Sequence, residues 1–170
     1  LLTRVVPDDA LAAETAATVR RIADGAPLVA RWHKQFIRRL TPQPAALTEA
    51  EIAVYGRKVS DFADWCAANG MPISYHHHMA AAIETEAELD LLMKHSTVPL
   101  LFDAGHMAFA GGDVLRVIDN HHTRITHVHT KDIRRSVVDG LDRTKESFLD
   151  AVVKGAFTVP GDGSLDFEAI

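Results

Sequence analysis

The sequence has a single cysteine, Cys66, in 170 residues. No intramolecular disulfide can form, and the chain fits a reducing compartment. It also lacks any apolar run near the ~18 residues that a bilayer-spanning helix needs, and no signal peptide is visible. These absences predict a cytoplasmic protein with no membrane partner. Positive charge is short as well: 18 Lys and Arg against 23 Asp and Glu leave a formal net charge of −5. That balance argues against nucleic acid as the main partner, because phosphate binding needs clustered basic side chains. The one basic cluster, "RWHKQFIRRL" at 31–40 with His33 inside it, reads as a solvated helix face. The chain opens on Leu1 instead of methionine, so its start need not be a natural one.

An apolar fraction of 47% with 24% charged residues is globular composition, and the length suits one domain or one domain plus a fragment. "TRVV" at 3–6 reads as a short strand closed by Pro7. A helix capped by Asp8 or Asp9 follows, with Leu11, Val19 and Ile22 as apolar positions and Gly25 as its end. A second helix fits 27–40. "TPQPA" at 41–45 breaks the pattern, since two prolines in four residues cannot sit inside a helix, and marks the best boundary. Thr48 and Glu51 then form a capping box. Ile52, Tyr55, Val59, Phe62 and Cys66 recur on one helical face up to Gly70, which makes Cys66 core filler.

From there a βα rhythm sets in. Strands are predicted at "MPISYH", "VPLLFD", "RITHVH" and "AFTVP", ending near residues 76, 103, 129 and 160. Helices are predicted between them at 85–95, with a Thr85/Glu88 capping box, at 112–122, opened by Asp113, and at 143–154, ended by Gly155. The fold class is α/β: about four βα units of a partial, TIM-barrel-like parallel sheet over 46–170, preceded by a helical segment over 1–45. Ser164 and Phe167 look like the opening of a further helix.

In parallel βα folds reactive groups collect at the carboxyl ends of the strands. Those ends carry His76, His77 and His78; Asp103 and His106 in "FDAGH"; and His127, His129, Lys131 and Asp132 in "HVHTKD". Strand side chains alternate, so His76 shares a face with His78, and His127 with His129. Imidazoles and a carboxylate converging from three strands suit a borderline divalent ion such as Mn, Co or Zn. Expression tags sit at termini, so the histidine triplet after an apolar strand is not tag-like. His121 and His122, at a helix end, and His33 read as structural. "PGDGS" at 160–164 reads as a turn, with Asp162 bonding its own backbone.

"YHHHM…IET", "LLFDAGHMAFAGGD", "RITHVHTKD" and "KGAFTVPGDGSLDF" together resemble inosose dehydratases of inositol catabolism, in the xylose-isomerase-like group of TIM barrels, over about 47–170. Residues 1–45 look instead like the late helical region of enoyl-CoA hydratases of the crotonase family, without the segments that carry that family's catalysis, so the junction falls in 41–57. The dehydratase resemblance implies removal of water from 2-keto-myo-inositol (scyllo-inosose) with Mn2+ or Co2+, by a hydro-lyase acting on a small cyclitol or sugar. It implies metal ligation by Asp103 and His129, with His76 or His78 standing where the group has its first glutamate. It makes His106, Lys131 and His127 candidates for substrate contact or proton transfer.

"HMAAA" departs from the glycine-containing form of the family, which bears on the geometry of that loop. The group's closing glutamate and first three strands have no counterpart here, and four strands cannot close an eight-stranded barrel. Exposed sheet edges then predict self-association. A sugar isomerase or epimerase of the same group, or a recombined fragment without turnover, are the alternatives.

Overall fold

The computed structural model describes residues 6–24 and 46–170. The chain divides between Ala46 and Leu47 into two units. In the first, helix α1 runs Asp8–Asp24. It is rich in alanine, the best helix former, and Asp8 and Asp9 lie in its first turn, where they face the positive end of the helix dipole. The predicted helix at 27–40, the cluster containing His33, Gly25 and the break at 41–45 lie outside the described residues, as does nearly all of the strand expected at 3–6.

The second unit opens with α2 (Glu49–Ala68). Thr48 and Glu51 close the predicted capping box: the Glu51 carboxylate accepts from Thr48 N–H at 2.9 Å, and Thr48 Oγ1 from Glu51 N–H at 3.3 Å. Gly70, at φ 77°, turns the chain out of the helix. Ile52 and Cys66 are buried as the pattern predicts, with Tyr55 and Val59 packed against the core. Phe62 is not. It is 56% exposed and stacks on Trp65 on the outer surface. The core seam runs instead through Ile52, Gly56, Ala63 and Cys66, about one helical step away. Gly56 sets it, because a Cβ there would lie 2.8 Å from the His95 carbonyl oxygen, so only glycine allows this approach of α2 to the end of the next helix.

Three parallel strands follow: β1 (Tyr75–His76), β2 (Leu100–Asp103) and β3 (Ile125–His129), in spatial order β1-β2-β3. Tyr75 pairs with Leu100, and Asp103 with His129. Helix α3 (Glu86–His95) carries the predicted Thr85/Glu88 capping box and buries Leu89 and Leu92. The short helix α4 (Ala104–Phe109) was not legible as a separate element. It is buried throughout and begins on β2's last residue, whose carboxylate caps it. Helix α5 (Val114–His121) opens on Asp113 as expected. His121 Nε2 pairs with Asp90 at 2.7 Å, and His122 Nδ1 meets the Asp119 carbonyl at 3.1 Å.

The fourth parallel unit is replaced by something else. Strand β4 (Asp132–Ile133) pairs antiparallel with β5 (Phe157–Thr158), so "AFTVP" folds back onto the segment after β3 instead of extending the sheet. Between them lie α6 (Arg135–Val138) and α7 (Phe148–Val153). The predicted start at 143 moves to 148, because Ser147 and Asp150 form the capping box. The fold-back is fixed by two groups. Arg134 donates to the carbonyls of Gly155 and Phe157 and to Thr158 Oγ1, and Asp132 accepts from the backbone of the 161–165 turn. Among the described residues the parallel sheet therefore has three strands and does not close into a barrel. No helix among the described residues is long and apolar enough to cross a membrane.

Candidate metal centre

The site grows from the end of β2. Leu100 and Phe102 point into the core, and Asp103, at 0% exposure, ends the strand and caps α4 by accepting from His106 N–H through Oδ1 at 2.9 Å. That bond frees its other oxygen. Around Asp103 Oδ2 stand Lys131 Nζ at 2.9 Å, His129 Nδ1 at 3.3 Å, His76 Nε2 at 3.5 Å and His106 Nε2 at 3.9 Å. Three strand ends supply these groups: β1 gives His76, β2 runs into α4 and His106, and β3 gives His129, with Lys131 two residues on.

Strand alternation sorts the histidine triplet. His76 faces Asp103, while His77 points to the other side, fully buried against Phe102, where its Nε2 accepts from Asp103 N–H at 3.3 Å. His78 returns to the site side: its ring centroid lies 4.0 Å from that of His106, and its Nδ1 lies 2.8 Å from the Met79 carbonyl oxygen. His127 is exposed, and its ring reaches His129 only at 6.2 Å. Asp132 is turned away into the 161–165 turn. Asp162 bonds Arg134 and Thr158 through its side chain, not its own backbone. Two site neighbours escaped the sequence reading. Phe148 and Phe157 pack on the His106 ring at centroid separations of 5.7 and 5.3 Å and form an apolar wall. Their positions look like ordinary core positions of "SFLDAV" and "AFTVP".

The electrostatics follow from burial and charge. Burial alone would raise the Asp103 pKa, but the Lys131 ammonium and the His106 N–H outweigh it and hold the carboxyl below its usual range. Burial pushes His76 and His106 down, against the opposing pull of Asp103, so both present neutral imidazoles, the form that ligates metals. Among the described residues, His76, Asp103 and His106 are grouped so that one ligand atom from each lies within 4.8 Å of the others. Ligands bound at about 2.0–2.2 Å stand about 3–4 Å apart, so a small contraction suffices. His76 Nε2 is buried without a hydrogen-bond partner, which a Lewis-acidic ion would supply. Two imidazole nitrogens and a carboxylate fit a borderline divalent cation.

No family model matches the chain. It is 44% identical over 136 residues to the rhizopine catabolism protein MocC of Rhizobium meliloti, a match that takes in 79% of this chain and 42% of that protein. It is 50% identical over 104 residues to an inosose dehydratase of Clostridium perfringens, covering 59% of this chain and 35% of that one. Against an inosose dehydratase of Geobacillus thermodenitrificans the identity is 48% over 110 residues, covering 63% and 37%. The chain thus spans about two fifths of the length of the curated relatives it matches.

The MocC match is longer than residues 47–170 alone, so it reaches back before residue 47. These relatives lend no support to the crotonase likeness of residues 1–45. In fold, the chain is similar to the crystal structure of a probable 3-DHS dehydratase, AsbF, of Bacillus anthracis, at TM-score 0.53 and 17% identity over 72% of this chain and 46% of that one. That likeness concerns the fold alone and agrees with the mixed α/β arrangement described above. In sequence, the chain is similar to the inosose dehydratase group.

Proposed function

We propose that the chain carries the metal-holding part of a dehydratase site, a carbon–oxygen lyase that removes water from 2-keto-myo-inositol with Mn2+ or Co2+. The observation that carries this reading is the convergence of four basic side chains on one oxygen of the buried Asp103. The names of the sequence relatives point to the same chemistry.

His76, Asp103 and His106 would hold the ion, with His129 beside them and outside the ligand set. His106 is better suited to ligation than to proton transfer: its pKa is pushed well below the usual imidazole range, first by burial, whereas a general base works best near the operating pH. A bound divalent ion supplies Lewis acidity to a ketone oxygen, which makes the neighbouring C–H acidic. Protonation of the departing β-hydroxyl would fall to the Lys131 ammonium and removal of the C–H proton to His129, which lies beside it on the same oxygen of Asp103. Phe148 and Phe157 pack on the His106 ring, which is buried.

Calorimetry with Mn2+ and Co2+ on the chain, beside Asp103→Asn and His106→Ala, tests the reading. Near-stoichiometric binding that weakens by about 100-fold, or about 2.7 kcal/mol, in Asp103→Asn is expected. Dehydration of 2-keto-myo-inositol by the metal-loaded protein is the second expected outcome. Binding that is unchanged in both variants refutes the assignment.

A further inference from the structure

We propose that Lys131 is a built-in counter-ion which occupies the cation position of this cluster, so that a divalent ion binds only by displacing its ammonium group; the inference rests on the metal reading above. Lys131 Nζ lies 2.9 Å from Asp103 Oδ2 and 3.0 Å from His106 Nε2, and both residues belong to the metal-competent triplet. A neutral imidazole nitrogen has one lone pair. When His106 Nε2 accepts an N–H from Lys131, that lone pair cannot also bind a metal. An ion seated at about 2.0–2.2 Å from these donors would also press directly on the ammonium group. Two cations in that space, at the mouth of a buried site, repel far more strongly than in water. The ion and the ammonium therefore exclude each other.

The local structure suits an exchange. Asp103 is fully buried and needs a cationic partner at all times, since an unpaired buried carboxylate is costly. The base of the lysine is fixed: its carbonyl and the start of its side chain pack on Gly105, where a Cβ would lie 2.8 Å from Lys131 O and 3.0 Å from Lys131 Cβ. Only glycine at 105 permits that approach, and it aims the side chain across Asp103. The head is not fixed in the same way. Lys131 is 33% exposed, its stem has four rotatable methylenes, and the Phe157 ring, 5.6 Å from Nζ, gives the ammonium a second, cation–π partner. Displacement leaves the Lys131 head group at the rim of a loaded site, where a substrate would approach. Metal loading and release of Lys131 become one event, and the ion weakens the Lys131 pairing by the same factor as that pairing weakens the ion.

Two measurements on the full chain decide this. The first compares Co2+ affinity of the wild type and Lys131→Met by calorimetry, with the visible absorption of bound Co2+ as a check on its ligand set. The second follows reductive methylation of wild-type lysines by mass spectrometry, with and without saturating Co2+. Lys131→Met should bind Co2+ about 10-fold more tightly, and Lys131 alone among the lysines should become several-fold more reactive when Co2+ is bound. Equal or weaker binding by the variant, together with unchanged labelling of Lys131, overturns the exchange while leaving the metal site standing. Absence of Co2+ binding in both proteins overturns the exchange and the metal reading together. Where Lys131→Met fails to fold or the two readouts disagree, labelling of the wild type decides.

Discussion

Asp103 and Asp132 are both fully buried carboxylates held below the usual aspartate range, yet they differ in every partner. In each, burial acts to raise the pKa and is overcome. At Asp103 the Lys131 ammonium opposes it first and the His106 N–H second, with the rings of His129, His76 and His106 gathered around the outer oxygen. At Asp132 the opposing groups are backbone N–H groups: Gly161 and Gly163 on Oδ2, and Ile133, Ser164 and Leu165 on Oδ1, between 2.7 and 3.1 Å. A Cβ on Gly163 would overlap the Asp132 carboxylate, so the turn is moulded around it. Backbone donors cannot leave without unfolding the turn, and they use up the oxygen lone pairs. Side-chain partners can rotate away. One aspartate is a structural clamp, the other a group able to change partners, and the chemistry of the neighbours separates them better than burial or pKa does.

The same isosteric change at both positions tests that distinction. Asp132→Asn turns one acceptor into a donor aimed at the Gly161 and Gly163 N–H groups, and should cost about 3–4 kcal/mol of stability in urea denaturation while the folded protein keeps its Co2+ affinity. Asp103→Asn keeps an oxygen for the His106 N–H, so stability should change by roughly 1 kcal/mol, yet Co2+ affinity should fall by about 100-fold. A stability loss at 103 as large as that at 132, or a metal defect at 132, would erase the contrast.

The contrast was only half legible in the sequence. "FDAGH" and "HVHTKD" placed Asp103, His106, His129 and Lys131 at strand ends, and the period of two separated His77 from its neighbours. Asp132 was grouped with them because it directly follows Lys131. Nothing local reveals that "PGDGS", about thirty residues on, closes over it. The capping boxes at Thr48 and Thr85 were readable because they depend on residues three apart. The antiparallel return of "AFTVP" depends on Arg134 and Asp132, distant in sequence, and a short apolar run looks the same in either strand direction. Phe62 misled for a similar reason: the seam of α2 follows Gly56, whose importance appears only when the His95 carbonyl lies against it.

A pH titration sharpens the comparison from the histidine side. His77 is buried, and its pKa is pushed down to about 4, first by burial and then by His76. Unfolded, it would titrate near 6.5. Between those values the unfolded chain binds more protons than the folded one, so stability is full above about pH 6.5 and declines as pH falls toward about 4. Burial of His76 and His106 acts with the same sign. Both aspartates are depressed below 3.8, so their contribution is lost only at still lower pH. Urea midpoints should therefore show a loss of roughly 2 kcal/mol between pH 6.5 and 4, partly flattened in His77→Phe. A flat profile in the wild type would mean that His77 reaches solvent.

The smallest effect concerns the loops themselves. Where the Asp132 turn needs left-handed backbone, it uses glycine: Gly161 sits at φ 84°. The loop after the histidine triplet has Ala80 at φ 60°, the one non-glycine residue with positive φ among those described. Its side chain is exposed and makes no packing contribution, while its N–H is held by Glu84 Oε2 at 2.8 Å. An L-residue in this region costs about 1–2 kcal/mol, and a glycine there gives back up to about 1 kcal/mol through the greater freedom of the unfolded chain. Ala80→Gly should therefore stabilise by about 0.5–1 kcal/mol, a rise of a few degrees in thermal midpoint. Two residues from His78, the same change should leave Co2+ affinity equal or slightly better. Destabilisation by Ala80→Gly would show that the Glu84 contact, not the backbone preference, decides the shape of the loop that presents the histidines.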